Sequence, residues 1–463
     1  MSQRKTTQEL GTEAIPKLLV KMAVPASIGI LVMSIYFIVD TIFVGRFVGT
    51  LAIAAITVVM PITFLISSIG MAIGVGGASV ISRALGAEDD KKACLTFGNM
   101  AGMNLFVVLL FVVGGFIFGD AILKLFGAQG AILPPARSYF QIILIGVPAL
   151  GWAMMSNNVM RAEGEPKMAM LSMMIPAVVN LILDPIFIIW LEMGLEGAAW
   201  ATTISYYMSA AFTLWYFFSG RSNLKIQLYN LIPIWSLVQE ITAIGVVTLA
   251  RQGAVSLLTI VLNNTLFQYG SELAVATYGI INRVMMFANF PVLGITQGFL
   301  PITGYNYGAE HWQRVRDTIR ISIRSGTLIA IGLFTLILVF STPIVGFFTT
   351  DEALLAATPD ALRLVFLATP LIATQLIGAA YFQAIGKARP ALLLTLTKQG
   401  FFLVPLVLTL PLAFGLEGVW YAFPIADCLA AAVTYWYLQK EIKQNLKPAI
   451  AAKAAAPALQ EEG

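Results

Sequence analysis

Long runs of apolar residues that carry no charge restrict how this chain can fold more than any other feature of its sequence. Val24–Val39, Cys94–Gly119 and Thr327–Thr350 contain no Asp, Glu, Lys or Arg. A helix needs roughly 20 such residues to cross the hydrocarbon core of a bilayer. Because only 11% of the 463 residues are charged, the chain has too few polar side chains to cover a water-soluble surface. The sequence therefore predicts an all-α integral membrane protein.

Polar turns divide the apolar blocks into twelve predicted transmembrane helices. Their expected limits are residues 17–43, 51–77, 94–118, 134–157, 167–190, 195–219, 238–267, 274–300, 318–341, 358–382, 390–413 and 416–438. The first of these spans is too long for the core of a signal peptide, so we expect no cleaved signal. An even number of spans places both termini on the same side of the membrane.

The distribution of Lys and Arg predicts the orientation. Of the 28 basic residues, 21 lie in the termini and in alternate connections, and only Arg46, Lys124, Arg137 and Arg363 lie in the opposite set. Connections rich in Lys and Arg stay in the cytoplasm. We therefore expect a multi-pass protein of the cell (inner) membrane with both termini in the cytoplasm.

The sequence contains an internal repeat. A shift of 222 residues places Leu51-Ala52-x-Ala54 on Leu273-Ala274-x-Ala276, and a shift of 221 places the GLEG motif at Gly194 on the one at Gly415. Each half holds six spans, so the halves share one orientation, which is a common plan for secondary transporters. The expected organisation is an N-lobe at 1–219, a cytoplasmic linker at 220–237, a C-lobe at 238–440 and an Ala-rich disordered tail at 441–463.

Ionisable residues inside spans are costly, so each one is a candidate functional residue. There are six of them: Asp40, Asp184, Arg251, Arg283, Lys398 and Asp427. Lys398 and Asp427 lie near the middle of the last two spans, where the simplest interpretation is a buried structural ion pair. Arg251 and Arg283 have no intramembrane acid left to pair with. They either snorkel, bind backbone carbonyls, or line a wet cavity and meet an anionic part of a substrate.

The first half carries a polar set at one depth. Asp40 lies near the outer end of the first span, Asn180 and Asp184 share a face of the fifth, and Thr202 lies shortly after the start of the sixth. Two carboxylates, an amide and a hydroxyl suit Na⁺. They suit a proton equally well, because two neighbouring carboxylates resist being ionised together. The 222-residue shift maps the two acids to Leu262 and Leu406, so coupling to a cation is expected in the first half alone.

Other chemistry has little support in the sequence. One histidine and two distant cysteines build no His- or Cys-based metal site, and no GxxxxGK[ST] motif for a nucleotide occurs. Flexible and aromatic side chains in the first half, among them Met33, Tyr36 and Met173, favour a pocket that accepts varied apolar shapes. The expected cofactors are therefore none beyond a coupling ion, H⁺ or Na⁺.

Several motifs together resemble the multidrug and toxic compound extrusion (MATE) family, over almost the whole length and most closely its bacterial MepA-like branch. They are Val39-Asp40-Thr41-x-Phe43-Val44-Gly45, Leu51-Ala52-x-Ala54, Gly86-Ala87, Arg161-Ala162-Glu163-Gly164 with Pro166, Asn180-xxx-Asp184-Pro185 and Gly194-x-x-Gly197-Ala198-Ala199. The resemblance implies a V-shaped transporter of two lobes that exchanges H⁺ or Na⁺ for an exported compound.

The same resemblance implies roles for individual residues. The family's coupling residues match Asp40, Asn180, Asp184 and Thr202, and Glu163 matches an acid of a cytoplasmic turn that begins at Arg161. Acids that some members carry in the second lobe have no match here. The nearest polar residues are Gln252 and Gln375, which together with Arg251 and Arg283 are candidates for substrate binding.

The expected function is secondary active efflux of amphipathic, often cationic, compounds by a monomer that is not an enzyme and binds no nucleic acid. One alternative is a flippase for lipid-linked precursors from the same superfamily, for which an arginine-rich cavity is typical. A second alternative is a membrane-embedded enzyme. That would need acids or histidines clustered at the interface, and only Glu88-Asp89-Asp90 qualifies, in a turn that carries Lys91 and Lys92.

Overall fold

The computed structural model describes the backbone of residues 2–225 and 227–461, and the side chains of residues 1–5, 41, 228 and 455–461 lie outside what it describes. Thr41 of the first motif, and Glu462 and Gly463 of the predicted tail, are thus outside the described residues in whole or in part. The α-helices are α1 (Ser2–Thr12), α2 (Ile15–Phe47), α3 (Thr50–Gly86), α4 (Asp90–Leu125), α5 (Leu133–Ala162), α6 (Pro166–Asp184), α7 (Gly194–Phe218), α8 (Trp235–Gly308), α9 (Trp312–Phe348), α10 (Glu352–Val365), α11 (Ile372–Ala384), α12 (Ala388–Leu396), α13 (Val404–Thr409), α14 (Pro411–Phe414), α15 (Leu416–Glu441) and α16 (Lys447–Glu461).

The prediction of twelve spans agrees with these helices. Ten segments in the described part of the chain are long and apolar enough to cross a bilayer. One of them, α8, has 74 residues and consists of two helices that meet at Ser271, where φ is 61°. The 25-residue α7 supplies the remaining span. The break in α8 falls in the polar interval that separates the seventh and eighth predicted spans.

Within the described chain, three of the twelve predicted spans contain a π-helical or 3₁₀ segment, and prolines account for two of these segments; α9 is in addition kinked at Phe340. Pro185 has no N–H to donate, and the residues Pro185–Trp190 continue α6 as a π-helix. Between α10 and α11 the helix is interrupted and resumes through a 3₁₀ turn at Thr369–Leu371, which contains Pro370. The third departure is a π-helical segment, Thr397–Leu403, between α12 and α13. Such irregular segments inside spans are frequent at functional sites.

Contacts between residues divide the chain into two compact units. Unit 1 consists of Met1–Thr12 and Pro25–Thr248, and unit 2 consists of Glu13–Val24 and Leu249–Gly463. The first turns of α2 therefore pack with the second half of the chain. Arg314 donates a hydrogen bond to the carbonyl of Glu13 at 2.7 Å, which fixes this segment within unit 2. These limits differ from the sequence-based lobes, which place all of 1–219 in the first half.

Helices α3 and α5 pack closely inside unit 1, because glycines remove the side chains between them. A Cβ atom at Gly70 would lie 3.2 Å from the carbonyl oxygen of Gly151, and one at Gly74 would lie 2.8 Å from Nδ2 of Asn158. Small residues spaced by four allow helix backbones to approach in this way. The contact brings α5 beside the buried apolar core of the unit.

The segments on both sides of the predicted second lobe have defined structure. In the linker, the N–H of Ile234 donates to Oδ1 of Asn99 at 2.6 Å, and Nδ2 of Asn99 donates to the carbonyl of Asn230 at 3.1 Å, so the linker lies against α4 in unit 1. The tail, for which the sequence predicts disorder, is helical over Lys447–Glu461. Alanine is the strongest helix former, so an Ala-rich polar segment can be either helical or disordered.

Candidate cation-binding site

The fifth and sixth spans hold three of the four predicted coupling residues. Asp184 is the last residue of α6, Asn180 lies one turn before it, and Thr202 lies on α7. All three are buried, with 2%, 1% and 7% of their surfaces exposed. The π-helix Pro185–Trp190 begins directly after Asp184, so the carboxyl group lies at the point where the regular α-helix ends.

An amide hydrogen-bond chain connects these three side chains. With its nitrogen directed toward Asp184, the Asn180 amide donates to Oδ2 of Asp184 at 2.8 Å, and its oxygen accepts from Oγ1 of Thr202 at 3.2 Å. The nitrogen and oxygen of an amide are assigned from their partners, and this orientation gives each atom a partner of the correct type. Asn180 therefore couples the Asp184 carboxyl to α7.

Asp40, from α2, completes the set. Its carboxyl group lies within hydrogen-bonding contact of the Asp184 carboxyl group. Oδ1 of Asp184 is buried and receives no hydrogen bond from the described residues. Two carboxyl groups in contact repel each other when both are ionised, so this arrangement needs a proton or a cation between them. The structure thus brings together all four residues that the sequence singled out, in one site within unit 1.

Tyrosines surround the carboxyl pair. Tyr36 of α2 and Tyr139 of α5 are near enough to both acids for direct electrostatic interaction, and Tyr206 of α7 is near enough to Asp40. Of these three tyrosines, only Tyr36 is predicted from the sequence as a candidate site residue. Tyr206 follows Thr202 by one helical turn and so shares its face, which is a signal that periodicity carries. Tyr139 has no such signal, because only the packing of α5 against α7 places it here.

A second polar cluster holds Glu163 in the turn between α5 and α6. Its carboxylate accepts hydrogen bonds from the Ser222 hydroxyl at 2.8 Å, from the Asn223 N–H at 2.9 Å and from the Tyr216 hydroxyl at 3.2 Å. The Thr7 hydroxyl donates to the Glu163 carbonyl at 2.8 Å. Burial outweighs these donors and raises the pKa of Glu163 to about 7. The turn is therefore joined to the N-terminal helix and to the linker.

The remaining first-half candidates lie apart from the carboxyl pair. Met33 is half-buried on α2. Met173 packs against Gly29, and its sulfur accepts a hydrogen bond from the buried guanidinium of Arg161 at 3.2 Å. Arg161, at the end of α5, thus contacts Met173 near the middle of α6, more than two turns before Asp184.

The weak candidates of the second half do not form a common site. Arg251 is half-buried, Gln252 and Arg283 are exposed, and Gln375 is buried and donates to the Leu394 carbonyl at 3.4 Å. No hydrogen bond or ion pair joins these four residues in the described part of the chain. By contrast, the predicted contact between Lys398 and Asp427 is present, with Nζ 2.6 Å from Oδ1.

The fold and the polar site together define the class of this protein. It is a multi-pass α-helical membrane protein built from two units of a repeated six-span plan, with broken spans and two contacting carboxyl groups at membrane depth, and these are features of secondary transporters. The MatE family profile matches residues 25–186 and 249–409, one match in each half. The chain belongs to the MatE family, whose members are transporters rather than enzymes.

Individual proteins show the same relationship along nearly the full length. The multidrug export protein MepA of Staphylococcus aureus (strain NCTC 8325 / PS 47) is 28% identical over 429 residues, which cover 92% of this chain and 94% of that protein. A crystal structure of MATE in complex with MaD3S has a TM-score of 0.90 at 26% identity, covering 96% of this chain and 99% of the other. An outward-facing multidrug resistance MATE family transporter of the MOP superfamily has a TM-score of 0.89 at 26% identity, covering 95% and 98%.

Proposed function

We propose that this protein exports amphipathic, often cationic, compounds across the cell membrane by exchange for H⁺ or Na⁺. The contact between the carboxyl groups of Asp40 and Asp184 carries this proposal. An acid pair linked to an amide and a hydroxyl provides oxygen ligands for a hard cation, or a position for one shared proton. Support for the class of substrate comes from the multidrug export proteins that the chain resembles over more than nine-tenths of its length.

The site lies where ion binding can change the arrangement of helices. Asp40 is on α2, Asp184 ends α6, and Thr202 is on α7, so a bound cation contacts three spans of unit 1. When the site is neutralised, repulsion between the carboxylates disappears and these spans can approach. When the cation leaves, repulsion favours their separation. Coupling requires only that ion and exported compound prefer different members of this pair of states.

Two further parts of the proposal concern topology and assembly. The distribution of basic residues supports a cytoplasmic location for both termini and for the turn that contains Glu163. One chain supplies every residue of the candidate cation site, so we propose that a monomer transports. No cofactor enters the scheme besides the coupling ion.

The test is transport by purified protein in proteoliposomes, with Na⁺ and H⁺ gradients imposed separately and a fluorescent lipophilic cation as substrate. Asp184→Asn and Asp40→Asn should each abolish ion-driven transport while the purified variants still bind the dye. Leu262→Met and Leu406→Met, at the positions that the repeat assigns to the two acids, are the matched controls and should transport normally. Normal coupled transport by the Asp40→Asn, Asp184→Asn double variant would refute the proposal, and the gradient that drives the unaltered protein identifies the ion.

A further inference from the structure

Unit 2 contains a polar centre that the cation site does not use. Lys398 and Asp427 form an ion pair at membrane depth, and the Asp427 side chain is 9% exposed and that of Lys398 15%. Such a pair is expensive to bury and contributes little net stability compared with apolar residues of similar volume. The other charged residues of these two spans lie near the ends of the spans. A charged pair near the middle therefore indicates a role besides packing.

The pair lines a partly open cavity with mixed walls. Met285 and Asn289 come from α8, Phe366 and Thr369 from the interruption between α10 and α11, and Phe423 lies one turn before Asp427 on α15. The Asn289 amide and the Thr369 hydroxyl are therefore close to the charged pair, whereas Met285 and the two phenylalanines form apolar walls. A few polar groups among apolar walls are typical of ligand sites.

The backbone around the cavity is irregular on two sides. Lys398 lies in the π-helical segment Thr397–Leu403, and Thr369 begins the 3₁₀ turn of the interrupted tenth span. Interrupted helices in transporters occur where the backbone lines a binding cavity. The repeat adds an independent observation. The 221-residue shift that superimposes the two GLEG motifs also places Asp427 on Tyr206, which lies beside Asp40 in unit 1.

We propose that the Lys398–Asp427 cavity is a ligand site that takes the headgroup of a zwitterionic amphiphile, a molecule with a cationic and an anionic group close together. The charge of the site selects this class. A purely cationic ligand that engaged Asp427 would leave the Lys398 ammonium without its partner and beside a like charge. A purely anionic ligand would do the same to Asp427. A zwitterion replaces both halves of the pair at once, while its apolar part contacts Phe366, Phe423 and Met285.

Three forms of one small probe test this selection: tryptophan as the zwitterion, tryptophan methyl ester as the cation and N-acetyltryptophan as the anion. Binding of the tritiated probes to the purified full-length protein is measured in detergent at about pH 6, where the amines are protonated, and without any ion gradient. The outcome is therefore independent of coupled transport. Tryptophan should bind at least about tenfold more tightly than either singly charged form.

Variants of the pair connect this preference to the cavity. Lys398→Met with Asp427→Leu should lower the affinity for tryptophan by about tenfold and make the three probes nearly equal. The exchanged pair, Lys398→Asp with Asp427→Lys, keeps both charges and should retain the preference, because the zwitterion can bind in the reverse direction. The matched control removes another ion pair of unit 2, Lys387→Met with Glu441→Leu, and should leave tryptophan binding unchanged.

A second measurement uses the native pair, in case these variants fail to fold. A cysteine at Asn289, in a chain whose Cys94 and Cys428 are changed to Ser, should be protected from alkylation by tryptophan and far less by its ester. Any one of three results would overturn the proposal and leave the pair a packing element. The first is equal affinity for the three probes, and the second is equal protection of the cysteine by tryptophan and its ester. The third is tryptophan binding by the Lys398→Met, Asp427→Leu variant at the level of the unaltered protein.

Discussion

The burial of Glu163 predicts that the stability of this protein depends on pH. The carboxyl group is 2% exposed, and burial raises its pKa from an ordinary value of 4.5 to about 7, although hydrogen bonds from Ser222, Asn223 and Tyr216 oppose that shift. The informative substitution is Glu163→Gln, which keeps the shape of the side chain and removes the proton. The matched control is Glu165→Gln, two residues further along the same turn, where the side chain is partly exposed.

The sign and size of the effect follow from the two pKa values. Below 4.5 both folded and unfolded chains hold the proton, so this group makes no difference. Between 4.5 and about 7 the unfolded chain loses the proton first, and the free energy of unfolding falls as the pH rises. At about 1.4 kcal/mol per pKa unit, the complete loss is on the order of 3 kcal/mol and is reached above the folded-state pKa.

The measurement is the free energy of unfolding in mixed detergent micelles as a function of pH. The unaltered protein and Glu165→Gln should lose this increment between about pH 4.5 and pH 7, whereas Glu163→Gln should show a flatter curve. Ser222→Ala removes a donor that stabilises the carboxylate, so the pKa of Glu163 should rise and the loss should extend to higher pH. Parallel curves for Glu163→Gln and the unaltered protein would refute this account of the buried carboxyl group.

Three further predictions concern other parts of the chain. A cysteine at Gln129 should react with an impermeant thiol reagent outside intact cells and one at Glu88 should not; the opposite pattern would reverse the orientation. Lys398→Met or Asp427→Leu alone should lower the free energy of unfolding by roughly 3 to 5 kcal/mol and the double variant should recover most of it, whereas equal losses would contradict direct pairing. At Gly98 an added Cβ would overlap Cβ of Asn230, so Gly98→Ala should make the linker more sensitive to protease. Gly114→Ala, on the same helix with no atom near its Cβ, should not, and equal cleavage of both would argue against contact-driven docking.

The number and approximate positions of the spans could be predicted from the sequence because the bilayer imposes a length on each apolar block, whereas helix ends such as Gly86 of α3 extend beyond the predicted limits. The break at Ser271 lies where a few polar residues separate two such blocks. The acid site could be predicted in outline for a related reason: charged residues at membrane depth are few, and Asn180, Asp184 and Thr202 have matching depths along their helices. The depth of a residue in the membrane and the helix face on which it lies both follow from its position along one helix, so they can be derived from the sequence.

Details that depend on how helices pack could not be predicted in this way. Tyr139 joins the acid site only because α5 lies between α3 and α7, and no periodicity in α5 distinguishes it from other aromatic residues in spans. The contact of Glu163 with Ser222 and Asn223 joins positions about 60 residues apart. The helical tail differs from the prediction because alanine is compatible with either state, and composition does not choose between them.

The two units share a repeated plan of spans but differ in the charged residues at their polar centres. The shared frame of spans, turns and GLEG motifs survives in both, yet unit 1 has two contacting acids between its spans and unit 2 has an acid paired with a base. In the proposed exchange the acid pair takes up a proton or a cation, so its occupancy changes with an ion gradient. The Lys398–Asp427 pair is already neutral, so an ion gradient has little effect on it, and only a ligand that replaces both charges can open it without stranding one. Under the two proposals above, ion coupling belongs to the polar centre of unit 1 and discrimination of ligands by charge to that of unit 2.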